Sequence, residues 1–428
     1  MTSQPPPHAA PPGAGPRVLL VSGEYPPTVG GVGDYTTLLA THLAAAGAAP
    51  SVLTGPAAGQ PPCRPPHMTD AQRPTARAVP TRRDVPYWGV ASWRAIDRAI
   101  AAERPDVVHL QYQAGAYGGR GAVNLLPWRL SRRAGAPPVV VTFHDLLPPY
   151  LFPKAGRLRA AAVRLLARTA AAVVATNGED LRRLGADPRL AGRLSLIPIG
   201  SNIPADSPIP GDMSCAPPGE RRPGEVLLAF FGLAGRSKGL ATLLDALASL
   251  ERDEPGAYRL VVVGGAPSAT DRARFTDGAD LAGALAARGL TGRVVVTGSL
   301  PAAAVAAHLR AADLAVLPYA DGASWRRGSL LAALAAGLPV VTTTPAPGHD
   351  AGGRLPTLVD GRNALLVPPG NPAALAAAIG ILGRDAGFRA LIAAGARALA
   401  VHFAWPAIAA RHLALYRDVL AARAGVAR

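Results

Sequence analysis

One pattern recurs along most of this chain: a short apolar run, a loop that often contains glycine, and then a helix-forming stretch. Residues 18–21 are apolar without interruption, as in a strand buried on both faces, and residues 36–46 have helical spacing. Similar apolar runs occupy residues 105–111, 138–143, 171–176, 226–231, 259–263, 293–297, 314–317, 340–343 and 365–367. Strands that alternate with helices join by right-handed crossovers into parallel sheets, so we predict an α/β fold.

The pattern is interrupted once, at residues 203–225, where Pro, Gly and Ser are concentrated. We therefore predict two doubly wound, Rossmann-like parallel-sheet domains that face a central cleft. The predicted limits are a disordered tail at 1–16, an N-terminal domain at 17–202, a linker at 203–225, a C-terminal domain at 226–400, and a C-terminal helix at 401–428.

Composition limits the classes of function. The net charge of +16 suits phosphates, nucleic acid or an anionic membrane, although Ala, Gly, Pro and Arg are all enriched, as in a GC-rich genome. Aromatic residues make up only 5%, and no basic stripe interleaves with them, which disfavours a nucleic-acid binder. Cys63 and Cys215 lack metal-ligand spacing and indicate a reduced cytoplasmic protein. No signal peptide is apparent, and arginines break every apolar run before the ~18 residues of a membrane span.

Candidate ligand residues in the first half follow the predicted strands. Gly30 and Gly31 lie in a loop between a strand and a helix, where glycine lets the backbone approach a ligand and the helix start adds positive potential. His109 lies near the end of the 105–111 strand, and His144 and Asp145 follow the 138–143 strand. Ligands of open α/β sheets bind beyond the carboxyl ends of strands, so both histidines are expected at this edge.

The second half has two candidate phosphate loops. The first, at 232–239, is rich in glycine and carries Arg236 and Lys238, the latter one of only two lysines in the chain. The second precedes a predicted helix at 330–336, whose N-terminal amides would bind an anion beside guanidinium groups that match phosphate geometry. Its candidate residues are Ser324, Arg326, Arg327, Gly328 and Ser329.

A further stretch, from Tyr150 to Arg168, combines aromatic and apolar residues with several arginines on a helix. It is either a solvated cationic face or a peripheral contact with an anionic membrane.

The chain resembles the family 4, GT-B fold glycosyltransferases (group 1 glycosyltransferases) from about residue 18 to residue 420. The resemblance is carried by the order and spacing of several motifs. These are PPxxGGVG at 26–33, PDVVH at 105–109, VTFHD at 141–145, IPIG at 197–200, FG at 231–232, KG at 238–239, ADL at 312–314, LAAGLPVV at 334–341 and VDGRNALLVPP at 359–369.

The resemblance implies a retaining transferase that moves a sugar from a nucleotide-activated donor to an unidentified acceptor. The acceptor would be a lipid, a polysaccharide or a small molecule, and no metal or other cofactor would be needed. It assigns the acceptor to the N-terminal domain and the donor to the C-terminal domain, with the C-terminal helix returning to the N-terminal domain. The resemblance implies that Lys238 binds the donor phosphates and that His144 faces the reacting sugar. It also implies that Gly30 and Gly31 lie under the diphosphate. We also expect a cytoplasmic location, with peripheral contact between residues 150–168 and the inner face of the membrane.

This chain departs from the family at a pair of glutamates, which here are Ser324 and Ala332. The family's arginine before the lysine also falls near Leu233, although Arg236, Arg326 and Arg327 could replace its charge. Two alternatives therefore stay open: a catalytically weakened relative that binds a sugar nucleotide or a protein partner, and, ranked last, a GT-B sugar-nucleotide epimerase, which would want carboxylates in the cleft.

Overall fold

A computed structural model describes residues 15–28, 30–56, 79–146, 156–203, 221–232, 236–264 and 281–426, without the side chains of 156–159, 236 and 426. The predicted disordered tail, most of the linker and the start of the predicted membrane contact lie outside these residues. Contacts within the chain define two compact units. The first unit comprises Met1–Thr176, Asp180–Ile197 and Trp405–Arg428, and the second comprises Asn177–Glu179 and Pro198–Ala404.

A parallel sheet of seven strands forms the centre of the first unit, in the order β3-β2-β1-β4-β5-β6-β7. Its inner strands are buried on both faces, and most of their residues are apolar, although β4 also buries the polar side chains of His109 and Gln111. The strands are β1 (Arg17–Ser22), β2 (Ala49–Leu53), β3 (Thr81–Arg82), β4 (Val107–Tyr112), β5 (Val139–Phe143), β6 (Ala172–Ala175) and β7 (Leu194–Leu196).

Helices connect these strands, and a C-terminal helix joins the same unit. They are α1 (Gly31–Ala45), α2 (Ser92–Glu103), α3 (Leu126–Ser131), α4 (Gly156–Thr169) and α5 (Gly178–Gly185), whose first residues belong to the second unit. The C-terminal helix, which becomes α12 (Trp405–Val426), packs along α1. Trp405 of this helix lies edge-on to Tyr35 of α1, with ring centroids 5.2 Å apart.

The second unit contains a parallel sheet of six strands in the order β10-β9-β8-β11-β12-β13. The strands are β8 (Val226–Phe231), β9 (Tyr258–Val263), β10 (Val294–Val296), β11 (Leu314–Leu317), β12 (Val340–Thr343) and β13 (Leu365–Val367). The helices are α6 (Leu240–Asp253), α7 (Leu281–Ala286), α8 (Ala302–Ala311), α9 (Gly328–Ala335), α10 (Pro372–Arg384) and α11 (Ala386–Ala400). Leucines on one side of α6, including Leu243 and Leu247, are buried against β8 and β9 in one apolar core.

Within the part of the chain that the structure describes, one stretch is long and apolar enough to cross a membrane, by length and composition alone: Ala386–Gly425, with 40 residues and a mean hydropathy of 1.4. It consists of α11 and α12, which are separated at the non-helical Ala404 and belong to different units. Ile392 of α11 and Ile408 of α12 are each completely buried. The stretch is therefore two separate helices, each with one buried side, and not one continuous helix.

The α/β fold class is confirmed, and two local predictions need correction. Helix α1 begins at Gly31 rather than at residue 36, because Val32 and Tyr35 are buried and this packing outweighs the low helix propensity of the glycines. Residues 81–82, which are not among the predicted strands, form the edge strand β3 beside β2. A strand of two residues is too short to show a periodicity.

Candidate functional site

Three histidines lie together in the first unit, and we call them the histidine cluster: His109 on β4, His144 directly after β5, and His412 on α12. The rings of His109 and His412 are 5.4 Å apart. Tyr35 of α1 lies edge-on to His144 with centroids 4.6 Å apart, and its hydroxyl is 3.4 Å from His412 Nε2. Four elements that are distant in sequence therefore meet at one edge of the sheet.

His109 is completely buried, and protein groups hydrogen-bond both of its ring nitrogens. Nδ1 is 2.7 Å from the Tyr416 hydroxyl on α12, and Nε2 is 2.8 Å from Thr142 Oγ1 on β5. A ligand would have to displace one of these partners. Its role as a ligand contact therefore stays a prediction. The structure shows that His109 joins the sheet to the C-terminal helix through its hydrogen bond with Tyr416.

His144 is partly exposed and is held through Nε2, which is 3.0 Å from Gln111 Oε1. Its backbone N–H donates to the Tyr112 carbonyl at 2.9 Å, which fixes the chain directly after β5. Asp145, the neighbouring candidate, accepts a hydrogen bond from Gln113 Nε2 at 2.8 Å. The structure thus places His144 at the carboxyl edge of the sheet, in the position the sequence predicted for a ligand contact.

Burial keeps the histidine cluster neutral. It lowers the pKa of His144 from 6.5 to about 3 and that of His412 from 6.5 to about 4. The pKa of His109 is also well below its usual value, first through burial and then through repulsion from His412 and His144. At neutral pH these rings are hydrogen-bonding groups without charge.

Gly30 and Gly31 begin α1, and their surroundings differ. A methyl group added at Gly30 would lie 2.0 Å from Glu24 Oε2, whereas one added at Gly31 would meet no described atom within 4 Å. Burial and the nearby Asp34 raise the pKa of the Glu24 carboxyl. A methyl group at position 30 would therefore displace the end of the flexible Glu24 side chain, while position 31 leaves open space at the helix start.

The second unit has a different group at its sheet edge, which we call the cation cluster: Lys238, Tyr319, Arg327 and Ser329. Lys238 Nζ donates to Ser329 Oγ at 3.2 Å, and the Tyr319 hydroxyl is 2.8 Å from the same oxygen. Both cations lie over the Tyr319 ring, with Nζ of Lys238 at 5.4 Å and Cζ of Arg327 at 4.8 Å from its centroid. Arg327 is also paired with Asp321.

The charge of Lys238 is only partly balanced. Burial, and then repulsion from Arg327, lower its pKa from 10.5 to about 8, while Asp321 acts in the opposite direction. Two cations close together, beside the backbone N–H groups that begin α9, favour an anion, because an added negative charge relieves their repulsion. This arrangement can bind a phosphate group.

Tight backbone turns hold Lys238 in place. Gly239, with a φ of +74°, lies so close to the Pro318 carbonyl that a Cβ there would be 1.8 Å from its oxygen. The backbone of Gly232 lies beside the Lys238 side chain, since a Cβ at Gly232 would be 3.6 Å from Nζ. Gly239 thus brings the chain directly after Lys238 against the end of β11.

The remaining candidates of the second unit have partners within the protein. Arg326 Nη1 donates to Glu179 Oε2 at 2.8 Å, and the carbonyl of Ser324 accepts from the Arg327 N–H at 3.1 Å. Gly328 is the first residue of α9. Ala332 is buried within α9, with 1% of its surface exposed. Arg236 begins a short helical turn, and its side chain lies outside the described part of the chain.

Of the predicted membrane stretch, the structure describes the side chains only from residue 160 onwards. Arg164 is exposed, whereas Arg168 is paired with Asp187 at 2.5 Å. Among the described residues, no group of three or more His, Cys, Asp or Glu side chains could hold a metal ion.

The sequence reasoning missed Gln111, Tyr319, His412 and Tyr416. Gln111 and Tyr319 could have been found by the rule that identified His144, because Gln111 lies one residue from the end of β4 and Tyr319 two residues beyond β11. No local signal marks His412 and Tyr416, which lie on a helix near the C-terminus and meet the sheet only in three dimensions.

Two family models match the chain. Residues 30–200 match the model described as a glycosyl transferase 4-like domain, and residues 225–385 match glycosyl transferases group 1. The D-inositol 3-phosphate glycosyltransferase of Xylanimonas cellulosilytica is 30% identical over 94% of this chain and 96% of its own length. The enzyme of the same name from Acidothermus cellulolyticus is 31% identical over 92% and 87%.

Solved structures share the fold at low sequence identity. Sucrose-phosphate synthase from Thermosynechococcus elongatus has a TM-score of 0.64 and 22% identity, covering 95% of this chain and 100% of that one. HepE of Anabaena, in complex with UDP and glucose, has a TM-score of 0.64 and 20% identity, covering 92% and 98%. The two parallel-sheet units are therefore those of a GT-B fold protein. Together with the sequence matches, they show that the chain belongs to the group 1 glycosyltransferases and is a glycosyltransferase.

Proposed function

We propose that the protein transfers a sugar from a nucleoside-diphosphate donor with retention of anomeric configuration and without a metal ion. The observation that carries this proposal is the cation cluster at the start of α9, where Lys238 and Arg327 share the Tyr319 ring. These side chains and the helix amides can neutralise the negative charge that grows on a leaving diphosphate, which is the role a metal ion would otherwise have.

The chemistry requires one bond to break and one to form at the same carbon. The bond between the anomeric carbon and the diphosphate oxygen breaks, and its electron pair stays on the diphosphate beside Lys238. The acceptor hydroxyl attacks on the face from which the diphosphate leaves, and a phosphate oxygen takes the hydroxyl proton. Retention follows because the entering and leaving oxygens share one face. Contacts from Gly30, Gly31, Arg236 and His144 to the donor remain part of the proposal.

The names of similar proteins suggest which substrates to test first. The HepE neighbours are complexes with UDP, with UDP and glucose, and with UDP-glucose, so UDP-sugars are the first donors. The relatives are D-inositol 3-phosphate glycosyltransferases, so a polyol phosphate is the first acceptor. We propose a cytoplasmic location, with peripheral contact between the 150–168 stretch and the inner face of the membrane.

One observation favours a second function. Ala332 offers no side chain to hold a ribose hydroxyl, and Ser324 is shorter than the family glutamate. A chain with these replacements could bind a sugar nucleotide or a protein partner while transferring sugar weakly or not at all. Donor affinity and turnover must therefore be measured separately.

A thermal-shift screen of the full chain against nucleoside-diphosphate sugars and the matching free diphosphates tests the proposal, because a ligand of the native state raises the melting temperature. Each donor that binds is then incubated with D-inositol 3-phosphate, and the released nucleoside diphosphate is measured. Binding with release supports the proposed transfer. Binding without release, over a range of polyol, lipid and saccharide acceptors, favours a weakened relative that binds a sugar nucleotide. No binding by any donor contradicts the transferase and favours a weakened relative that binds a protein partner.

A further inference from the structure

Gln111 is a polar side chain in the centre of the first sheet. It lies on β4, which pairs with β1 on one side and β5 on the other, and it is completely buried. The Tyr117 hydroxyl donates to its backbone carbonyl at 2.8 Å, which adds to the support from the sheet. Its backbone is therefore held in one position, and its side-chain oxygen is fixed 3.0 Å from His144 Nε2.

The amide of Gln111 is only half satisfied. Its oxygen meets His144, but its buried nitrogen, Nε2, has no hydrogen-bond partner among the described residues. A buried donor without a partner destabilises a fold, and an apolar side chain of similar size would avoid that cost. Stability alone therefore does not account for glutamine at this position. Its contact with His144 offers another reason for its presence.

The contact determines where the proton of His144 lies. A carbonyl oxygen can only accept, so His144 must donate from Nε2, and its Nδ1 then carries the lone pair. Tyr35 from α1, His109 from β4 and His412 from α12 face this ring, and none of them supplies a negative charge that would favour a second proton. Among the described residues no group hydrogen-bonds Nδ1.

We propose that Gln111 is a positioning residue that holds His144 as the neutral Nε2–H tautomer, leaving Nδ1 to accept a hydrogen bond from a substrate hydroxyl. Only the substrate contact of His144 rests on the proposed function. The tautomer itself is a property of the free protein. If the oxygen and nitrogen of the Gln111 amide exchanged places, Nε2 would donate to His144 and the His144 proton would lie on Nδ1. A measurement of the His144 tautomer therefore distinguishes the two amide orientations.

The tautomer can be measured in the full chain labelled with ¹⁵N-histidine, by long-range ¹H–¹⁵N correlation spectra, with His144 assigned through His144→Asn. We expect the wild type to show a protonated Nε2 and an unprotonated Nδ1. Gln111→Leu removes the acceptor and should abolish this preference. Gln111→Glu keeps an acceptor and adds a charge, so it should keep the Nε2–H tautomer and raise the pKa of His144 by at least about one unit. Thr81→Val, at an exposed position on β3 of the same sheet, is the control and should alter neither property.

A wild-type proton on Nδ1 would overturn the proposal, as would an unchanged tautomer in folded Gln111→Leu. With the donor found in the screen, Gln111→Leu should also lower kcat/KM by about tenfold, the value of one neutral hydrogen bond. If His144→Asn turns over normally while the tautomer behaves as expected, then Gln111 positions His144 and only the substrate contact is wrong. Circular dichroism confirms that each variant is folded.

Discussion

The two units present different chemistry at the carboxyl ends of similar parallel sheets. The first unit gathers histidines and tyrosines that burial keeps neutral, such as His144, with a pKa of about 3. The second gathers Lys238 and Arg327 around one tyrosine at the start of a helix. A neutral edge suits hydroxyl groups, and a cationic edge suits phosphates. The residues that follow the strands, and not the strands themselves, therefore set the local charge at each sheet edge.

Removal of the Lys238 charge should have the largest effect on activity. We expect Lys238→Met, which keeps the length of the side chain but removes its charge, to lower kcat by roughly 10²–10³-fold, as when one preorganised donor to a developing anion is lost. The measurement is the release of nucleoside diphosphate with the donor found in the screen. Arg252→Met, at an exposed position on α6 in the same unit, is the control and should leave turnover unchanged. Normal turnover by Lys238→Met would contradict the phosphate role.

Lowering the pH should reduce the free energy of unfolding, because it protonates the buried His412 of the first unit. His412 is completely buried, and its pKa in the folded protein is about 4, below the usual 6.5, so the unfolded chain binds more protons over this interval. Stability from the neutral ring is therefore fully present above pH 6.5 and falls as the pH is lowered towards 4, by roughly 2–3 kcal/mol for this group. Urea unfolding at a series of pH values, followed by Trp fluorescence, measures it.

His412→Gln keeps a polar side chain that cannot take up a proton. This variant should lose less stability than the wild type between pH 6.5 and pH 4. An identical pH profile in the two proteins would show that His412 does not cause the acid sensitivity.

The smallest effect should come from the two glycines that begin α1. We expect Gly31→Ala to fold normally, because the added methyl meets no described atom within 4 Å, and to weaken donor binding about tenfold if the backbone there approaches the diphosphate. Gly30→Ala should change the melting temperature only slightly, because its methyl would meet the Glu24 carboxylate, which is the end of a flexible side chain and can move aside. Isothermal titration with the donor and thermal unfolding separate the two effects. Unchanged donor affinity in Gly31→Ala would remove this glycine from the binding site.

The fold was predictable because its signals are local. Continuous apolar runs such as 139–141 identify strands buried on both faces, and the helices between them are rich in Ala and Leu. The candidate site was predictable where a residue directly follows a strand or begins a helix, as His144 and Ser329 do. Arg326 shows the limit of this reasoning, since its pairing with Glu179 joins residues 147 positions apart and no local pattern marks it.

The sequence by itself determined the order of strands and helices along the chain, because that order depends on local patterns. It determined the family through short motifs that follow one another in a characteristic order and spacing, and it predicted the edges at which ligands should bind. Only the tertiary structure decided which neighbours share a hydrogen bond. It placed Tyr416 on His109, 307 positions away, and it placed Ser329 between Lys238 and Tyr319. The physical reason is that burial and hydrogen bonding set the charge and tautomer of a side chain, and both depend on segments that meet only after folding.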